Sequence, residues 1–262
     1  MTVQNTYEWL VAHYEQPEKI CEHFTEHLPL SPREIYAFLL SWGMYRPYEE
    51  GREELKKLVH LYRTLQREFA SIRVWLNGPN IPVYLLPSNI YNRSMEREYN
   101  GKSGLALSSC IFLFASSRNT DKEMQAMLTH EYHHVCRLHA SSSVEECTLL
   151  ESMIMEGLAE AAVRERHGYE WHAPWVFYYT KEECVRYWNL FLKQSCHIKK
   201  GETLHDRLLI GSRGYPRMLG YGVGFHIVQD CIQREHVASK QLLTMNAMQV
   251  LQYAKSFPLS IE

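Results

Sequence analysis

TDKEMQAMLTHEYHHVCRL, residues 120–138, has the pattern of a capped helix with chemistry on one face. Thr120 and Glu123 stand at capping-box spacing, so hydroxyl and carboxylate can each satisfy a backbone N–H that a helix start leaves orphaned. Met124, Met127, Leu128 and Leu138 follow at helical spacing. His130 and His134 are four residues apart, which projects both rings from the same side, one turn above the other. Two imidazoles so placed can share one tetrahedral metal ion, and Glu131 lies beside them without filling the open coordination position. His133 points about 100° away from His134, which suits a supporting or surface group better than a ligand.

A catalytic zinc site needs a third protein ligand. Downstream, Ser143-Val144-Glu145-Glu146 repeats the capping-box spacing and predicts a second helix that runs to Arg166 or His167 and closes at Gly168. Glu156 sits on it among Met153, Gly157, Ala159 and Val163, and a carboxylate on an apolar face needs a partner. A metal ion meets that need. Glu151 is the rival ligand, but five residues away it falls on a different face. Glu160, one turn after Glu156, is placed to accept the outer N–H of a ligating histidine. The same two carboxylates with Arg164 also fit an ordinary solvated stripe. Gly157 costs the helix about 1 kcal/mol relative to Ala, which points to close approach of the two helices.

Working outward, residues 7–73 read as helical. Ser31-Pro32 caps one helix that Gly43 closes, and Pro47 opens a longer one with Leu55, Leu58, Leu61 and Leu65 at helical spacing. Short apolar runs at 81–87 and 105–115, bounded by Gly, Pro, Asn and Ser, read as strands, with a polar loop over 88–104 between them. From Thr120 on the chain is mostly helical, with breaks near 168–174, 199–203 and 211–216. The expected class is therefore α+β, mainly helical, with a small β-sheet.

Composition excludes several functions. The net charge of −2 leaves no basic footprint for nucleic acid, and no polybasic segment offers itself to an anionic membrane. The first residues lack the regions of a signal peptide, and the longest uncharged run, 74–92, is broken by three prolines. Seven scattered cysteines without a C-x-x-C pair suit reduced thiols of a cytoplasmic protein and not a cysteine zinc site.

H-E-Y-H-H, followed 22 residues after His134 by E-G-L-A-E, is similar to the gluzincin pattern of H-E-x-x-H plus a downstream Glu ligand. With Gly220-Tyr221-Gly222-Val223-Gly224-Phe225-His226 near the end, residues from about 80 to 255 resemble the YjaZ-type predicted zinc-dependent proteases. The resemblance implies a zincin-like metallopeptidase domain over 76–262 behind a helical region at 1–75. It implies Zn2+ as cofactor, His130, His134 and Glu156 as its ligands, Glu131 as general base, and a peptide or protein as substrate.

The expected mechanism is hydrolysis by a zinc-activated water whose proton Glu131 takes and then hands to the leaving amine. Tyr221, between Gly220 and Gly222, is the first candidate donor to the oxyanion, followed by His226 and Arg217. The run Ser109–Phe114 could pair with an extended peptide at a sheet edge, or could equally be plain core. Aromatics at 169, 171, 175 and 177–179 suit packing better than a cleft wall. A zinc-binding scaffold without activity would have no use for Glu131. A serine hydrolase is disfavoured by the lack of G-x-S-x-G and by Asp occurring only at 121, 206 and 230.

Overall fold

The computed structural model describes residues 2–140 and 147–259. Contacts divide the chain into two compact units, Met1–Val135 and Cys136–Glu262.

The first unit opens with β1 (Val3–Gln4), α1 (Thr6–His13), α2 (Pro17–Cys21) and α3 (Pro32–Trp42). Helix α3 starts at the Ser31/Glu34 capping box and stops at Gly43 with φ 115°, as its sequence predicts. Helix α4 (Gly51–Leu76) buries Leu55, Leu58, Leu61, Leu65, Phe69 and Ile72 along one face, the 3.6-residue stripe of a helix packed on a core.

The strands β2 (Val83–Pro87), β3 (Ser103–Ala106) and β4 (Ile111–Ala115) complete a sheet of order β1-β2-β4-β3, in which only β3 runs antiparallel to its neighbour. Every residue of β2 and β4 is buried, which is why they read as unbroken apolar runs and not as alternating ones. The predicted 105–115 strand is in fact the end of β3, a turn closed by Leu107 N–H to the Cys110 carbonyl, and β4. The predicted polar loop contains α5 (Arg93–Tyr99), capped by Asn92 and ended by Asn100 at φ 52°. Only Met95 of that helix is buried, so it has no apolar periodicity to reveal it. Strand β4 lies between β2 and β3, so it cannot take an added peptide strand. The edge next to it is β3.

Helix α6 (Asp121–Ala140) begins at the predicted capping box: Glu123 N–H donates to Thr120 Oγ1 (3.2 Å), and Thr120 N–H donates to Glu123 Oε2 (2.8 Å). Met124, Leu128, Tyr132 and Val135 form its buried stripe. Tyr132 stacks edge-on against Phe69 and donates to the Pro79 carbonyl at 2.8 Å, which orients the helix about its axis.

Glu123 also accepts from Lys102 Nζ (2.8 Å) and Asn100 Nδ2 (3.0 Å). Burial raises its pKa, but these bonds outweigh burial and hold the carboxyl down at about 2. A depressed folded-state pKa stabilises the fold above the unfolded value and loses that stability as pH falls. Glu123 is therefore expected to contribute up to about 3 kcal/mol that fades between about pH 4.5 and 2. Denaturant midpoints measured across that range should fall for the wild type and fall less for Glu123→Gln; equal slopes would refute the assignment.

Among its described residues the second unit has helices joined by turns and loops, with a single isolated bridge between Thr148 and Lys199. Its scaffold is α7 (Leu149–His167), α8 (Lys181–Tyr187), α9 (Thr203–Ile210), α10 (Leu219–Glu235), α11 (Ser239–Leu242) and α12 (Ala247–Tyr253). The predicted Ser143 capping box lies outside the described residues; α7 instead opens at Thr148, whose side chain accepts from Glu151 N–H. Helices α7 and α10 cross at two glycines. A Cβ on Gly157 would lie 2.5 Å from the Gly224 carbonyl oxygen, and one on Gly224 would lie 2.0 Å from the Met153 oxygen. Gly157 does mark a close approach, but its partner is α10 and not, as the sequence suggested, the helix that carries His130. All seven cysteines are free, and no described helix is long and apolar enough to cross a membrane.

Candidate metal centre

Helix α6 brings His130 Nε2 and His134 Nε2 to 3.0 Å, with the two rings nearly perpendicular. This is the consequence of i, i+4 spacing on a helix already oriented by its buried stripe. Zinc–nitrogen bonds of about 2.0–2.1 Å at a tetrahedral angle hold two nitrogens about 3.3 Å apart, close to the separation found. One carboxylate oxygen of Glu156 completes a group whose ligand atoms all lie within 4.8 Å of one another and which could hold a metal ion. Two imidazoles and one carboxylate match in number and kind the three protein donors of a catalytic zinc site.

Glu131 is half-buried and rests against the edge strand. A Cβ on Gly104 of β3 would lie 2.4 Å from Glu131 Oε1, so the Glu131 side chain in its present position lies directly against that glycine. His133 is fully buried, which removes the surface alternative for it.

In the second unit, the rival ligand Glu151 is taken by Arg137. The guanidinium donates to both its oxygens, at 2.9 and 3.2 Å, and also to the Leu242 and Leu243 carbonyls. Arg137 is itself buried, and such a bidentate pair leaves the carboxylate poorly placed to serve a metal. Sequence reasoning passed over Arg137, whose position three residues after His134 carries no signal of its partner.

Glu160 is buried and has a partner that the sequence did not suggest. His172 Nδ1 lies 2.7 Å from Glu160 Oε2, and the Ala173 N–H donates to the same oxygen at 3.0 Å. The His172 ring packs edge-on among Tyr169, Phe177 and Phe225, and its Nε2 is buried with no hydrogen-bond partner among the described residues.

The three candidate donors on and before α10 are placed as follows. Tyr221 is half-buried with its ring against Trp175 at 5.1 Å. His226 Nε2 donates to the Tyr179 carbonyl at 3.1 Å, and burial, only partly offset by that bond, pushes its pKa down, so that the ring stays neutral. The Arg217 guanidinium lies over the Tyr178 ring and its carbonyl accepts from Tyr179. The aromatic run therefore packs on its neighbours.

A Ser-His-Asp arrangement, for which three aspartates leave few candidates, does assemble. Ser152 Oγ lies 3.0 Å from His205 Nε2, and His205 Nδ1 lies 2.8 Å from Asp206 Oδ1. The order is that of a Ser-His-Asp triad, but Ser152 is buried within α7 and its hydroxyl is shared with Cys147 at 3.3 Å. Asp206 is the exposed end, the reverse of a triad whose buried Asp orients the base. The chain of bonds ties α9 to α7.

A family model described as "Predicted Zn-dependent protease (DUF2268)" matches residues 61–252. The chain is 35% identical over 258 residues to a Bacillus subtilis (strain 168) protein described as "Uncharacterized protein YjaZ", covering 94% of this chain and 97% of that one. It is 24% identical over 242 residues to "Uncharacterized protein YjfC" of the same organism, covering 82% and 78% respectively. No solved structure matches.

Proposed function

The chain belongs to that family of predicted Zn-dependent proteases, and from this premise we propose that it hydrolyses peptide bonds with zinc held by His130, His134 and Glu156. The observation that carries the reading is the group of two imidazole nitrogens and one carboxylate oxygen within 4.8 Å, with Glu131 beside it on the same helix. Bound there, zinc would acidify a water and polarise a carbonyl.

The remaining steps fall to the chain's own groups. Glu131 takes the proton of the attacking water and delivers it to the departing amine. An extended substrate adds to the open edge of β3, whose Gly104 brings its backbone against Glu131. The oxyanion is met by Tyr221 or by His172, whose ring Glu160 fixes through Nδ1. His226 already donates to a carbonyl and is the weaker candidate.

Zinc content tests the ligand set. Purified wild type is expected to hold near-stoichiometric zinc, and Glu156→Ala to lose most of it. Removal of bound zinc by a chelator should abolish hydrolysis, and added zinc should restore it. Unchanged zinc in Glu156→Ala would eliminate the third ligand.

A further inference from the structure

Ile35, Phe38, Leu39 and Trp42 follow one another on α3 at the spacing of a single helix face. At 3.6 residues per turn Trp42 points within about 20° of Ile35, the centre of that stripe. Ile35 and Leu39 are fully buried, and Phe38 packs on the same cluster, which Leu105 of β3 joins. Trp42 is nevertheless 44% exposed. The apolar stripe thus runs past what the sheet covers. Its end is fastened to the edge strand: Ser103 Oγ, on the first residue of β3, donates to the Trp42 carbonyl at 2.6 Å. Phe38 meets Trp42 edge-on, with ring centroids 6.4 Å apart.

The open edge of β3 has a defined register. Leu107 N–H donates to the Cys110 carbonyl at 2.9 Å, one step beyond the Ala106–Ile111 pair. Residues that exchange hydrogen bonds alternate along an antiparallel pair, so Leu105 and Ser103 also turn their backbone groups to β4. Strand β4 has the matching alternation. Ile111 donates to Pro82 and Ala115 accepts from Ser88, which leaves Phe112 and Phe114 to face β3. Gly104 and Ala106 therefore direct N–H and C=O groups away from β4, and no strand among the described residues lies on that side.

A peptide strand paired there would lie about 4.8 Å beyond β3, with side chains alternating between the two faces of the sheet. The two faces differ. Gly104 looks toward Glu131, so the peptide residue opposite it presents its side chain on the side of the proposed base. The residue opposite Ser103 presents its side chain on the α3 side, where Phe38 and the uncovered Trp42 stand. Aliphatic or aromatic carbon placed there removes apolar surface from water on both partners, whereas a carboxylate would lose hydration against aromatic rings.

We propose that Trp42 and Phe38 form an apolar subsite that receives a large aliphatic or aromatic side chain of a peptide paired on β3. The assignment rests on the peptidase reading and adds a residue preference to it, at a single position flanking the cleaved bond. Helix α3 precedes residues 61–252, so the family match does not carry this subsite.

Fluorogenic peptides varied one position at a time between alanine, leucine, aspartate and lysine read the preference as ratios of kcat/KM. Wild type is expected to favour leucine over alanine about tenfold or more at one position, the discrimination that a few buried carbons supply. Aspartate and lysine there should be cleaved more slowly than leucine. Trp42→Ala, at a half-exposed side chain, should bring the leucine-to-alanine ratio toward unity, and Trp42→Phe should restore part of it. A second readout needs no turnover: zinc-loaded Glu131→Gln, irradiated with peptides carrying benzoylphenylalanine at each position, should cross-link to the α3 segment from alternate positions. The proposal is overturned by equal cleavage of alanine and leucine peptides at every position, by a leucine preference that persists in Trp42→Ala, by faster cleavage with lysine, or by cross-links that miss α3. Cross-linking to α3 with no hydrolysis by zinc-loaded wild type would instead defeat the peptidase reading and support the subsite.

Discussion

Glu131→Gln is expected to lower kcat/KM for peptide hydrolysis by about a thousandfold or more while leaving zinc in place. Glutamine keeps the shape and the hydrogen-bonding reach of the side chain but cannot take a proton, and a positioned base contributes about 10²–10⁴ in rate. The side chain is neither a proposed ligand nor deeply buried, so the substitution should cost little stability. Its surroundings make the effect specific. Glu131 Oε1 lies against Gly104 of β3, which puts the carboxylate at the sheet edge proposed to take the peptide backbone. Activity on a fluorogenic peptide pool, measured beside zinc content, separates the outcomes. Wild-type turnover in a zinc-loaded variant would sink the base assignment. Inactive wild type with full zinc would favour a metal-binding scaffold.

Gly224→Ala is expected to destabilise the second unit by about 3 kcal/mol or more and to lower the melting temperature by roughly 10 °C. In an isolated helix the same change would stabilise by about 1 kcal/mol, so the predicted sign opposes propensity. The reason is where the new methyl would go: 2.0 Å from the Met153 carbonyl oxygen and 2.6 Å from its carbon. Those are backbone atoms, so no rotamer change relieves the contact, and α7 must move off α10. Because α7 also carries Glu156 and Glu160, zinc affinity should fall with stability. Gly157→Ala strains the same crossing against the Gly224 carbonyl, and the two losses should be less than additive. A melting temperature equal to the wild type's in Gly224→Ala would show that the helices are not held at this distance.

Much of the site was legible because it is local. Capping-box spacing at Thr120 and Glu123, and the four-residue interval from His130 to His134, translate into geometry through the helix alone. The same logic applied once too early placed the start of α7 at Ser143, although Thr148-x-x-Glu151 has the capping-box spacing too and is the cap observed. Helix α5 escaped notice because seven mostly polar residues with one buried position carry no period.

Local spacing alone therefore yields most of the helical segments, the buried strand runs and the histidine pair on one face of α6. The folded chain adds that β4 is interior and β3 the edge, that Arg137 takes Glu151 and that Glu160 holds His172. The difference is one of range. Helical periodicity and capping act within a few residues, whereas hydrogen-bond partners, strand order and helix crossings are chosen among groups far apart in the chain by which arrangement buries the apolar surface and satisfies the polar atoms together.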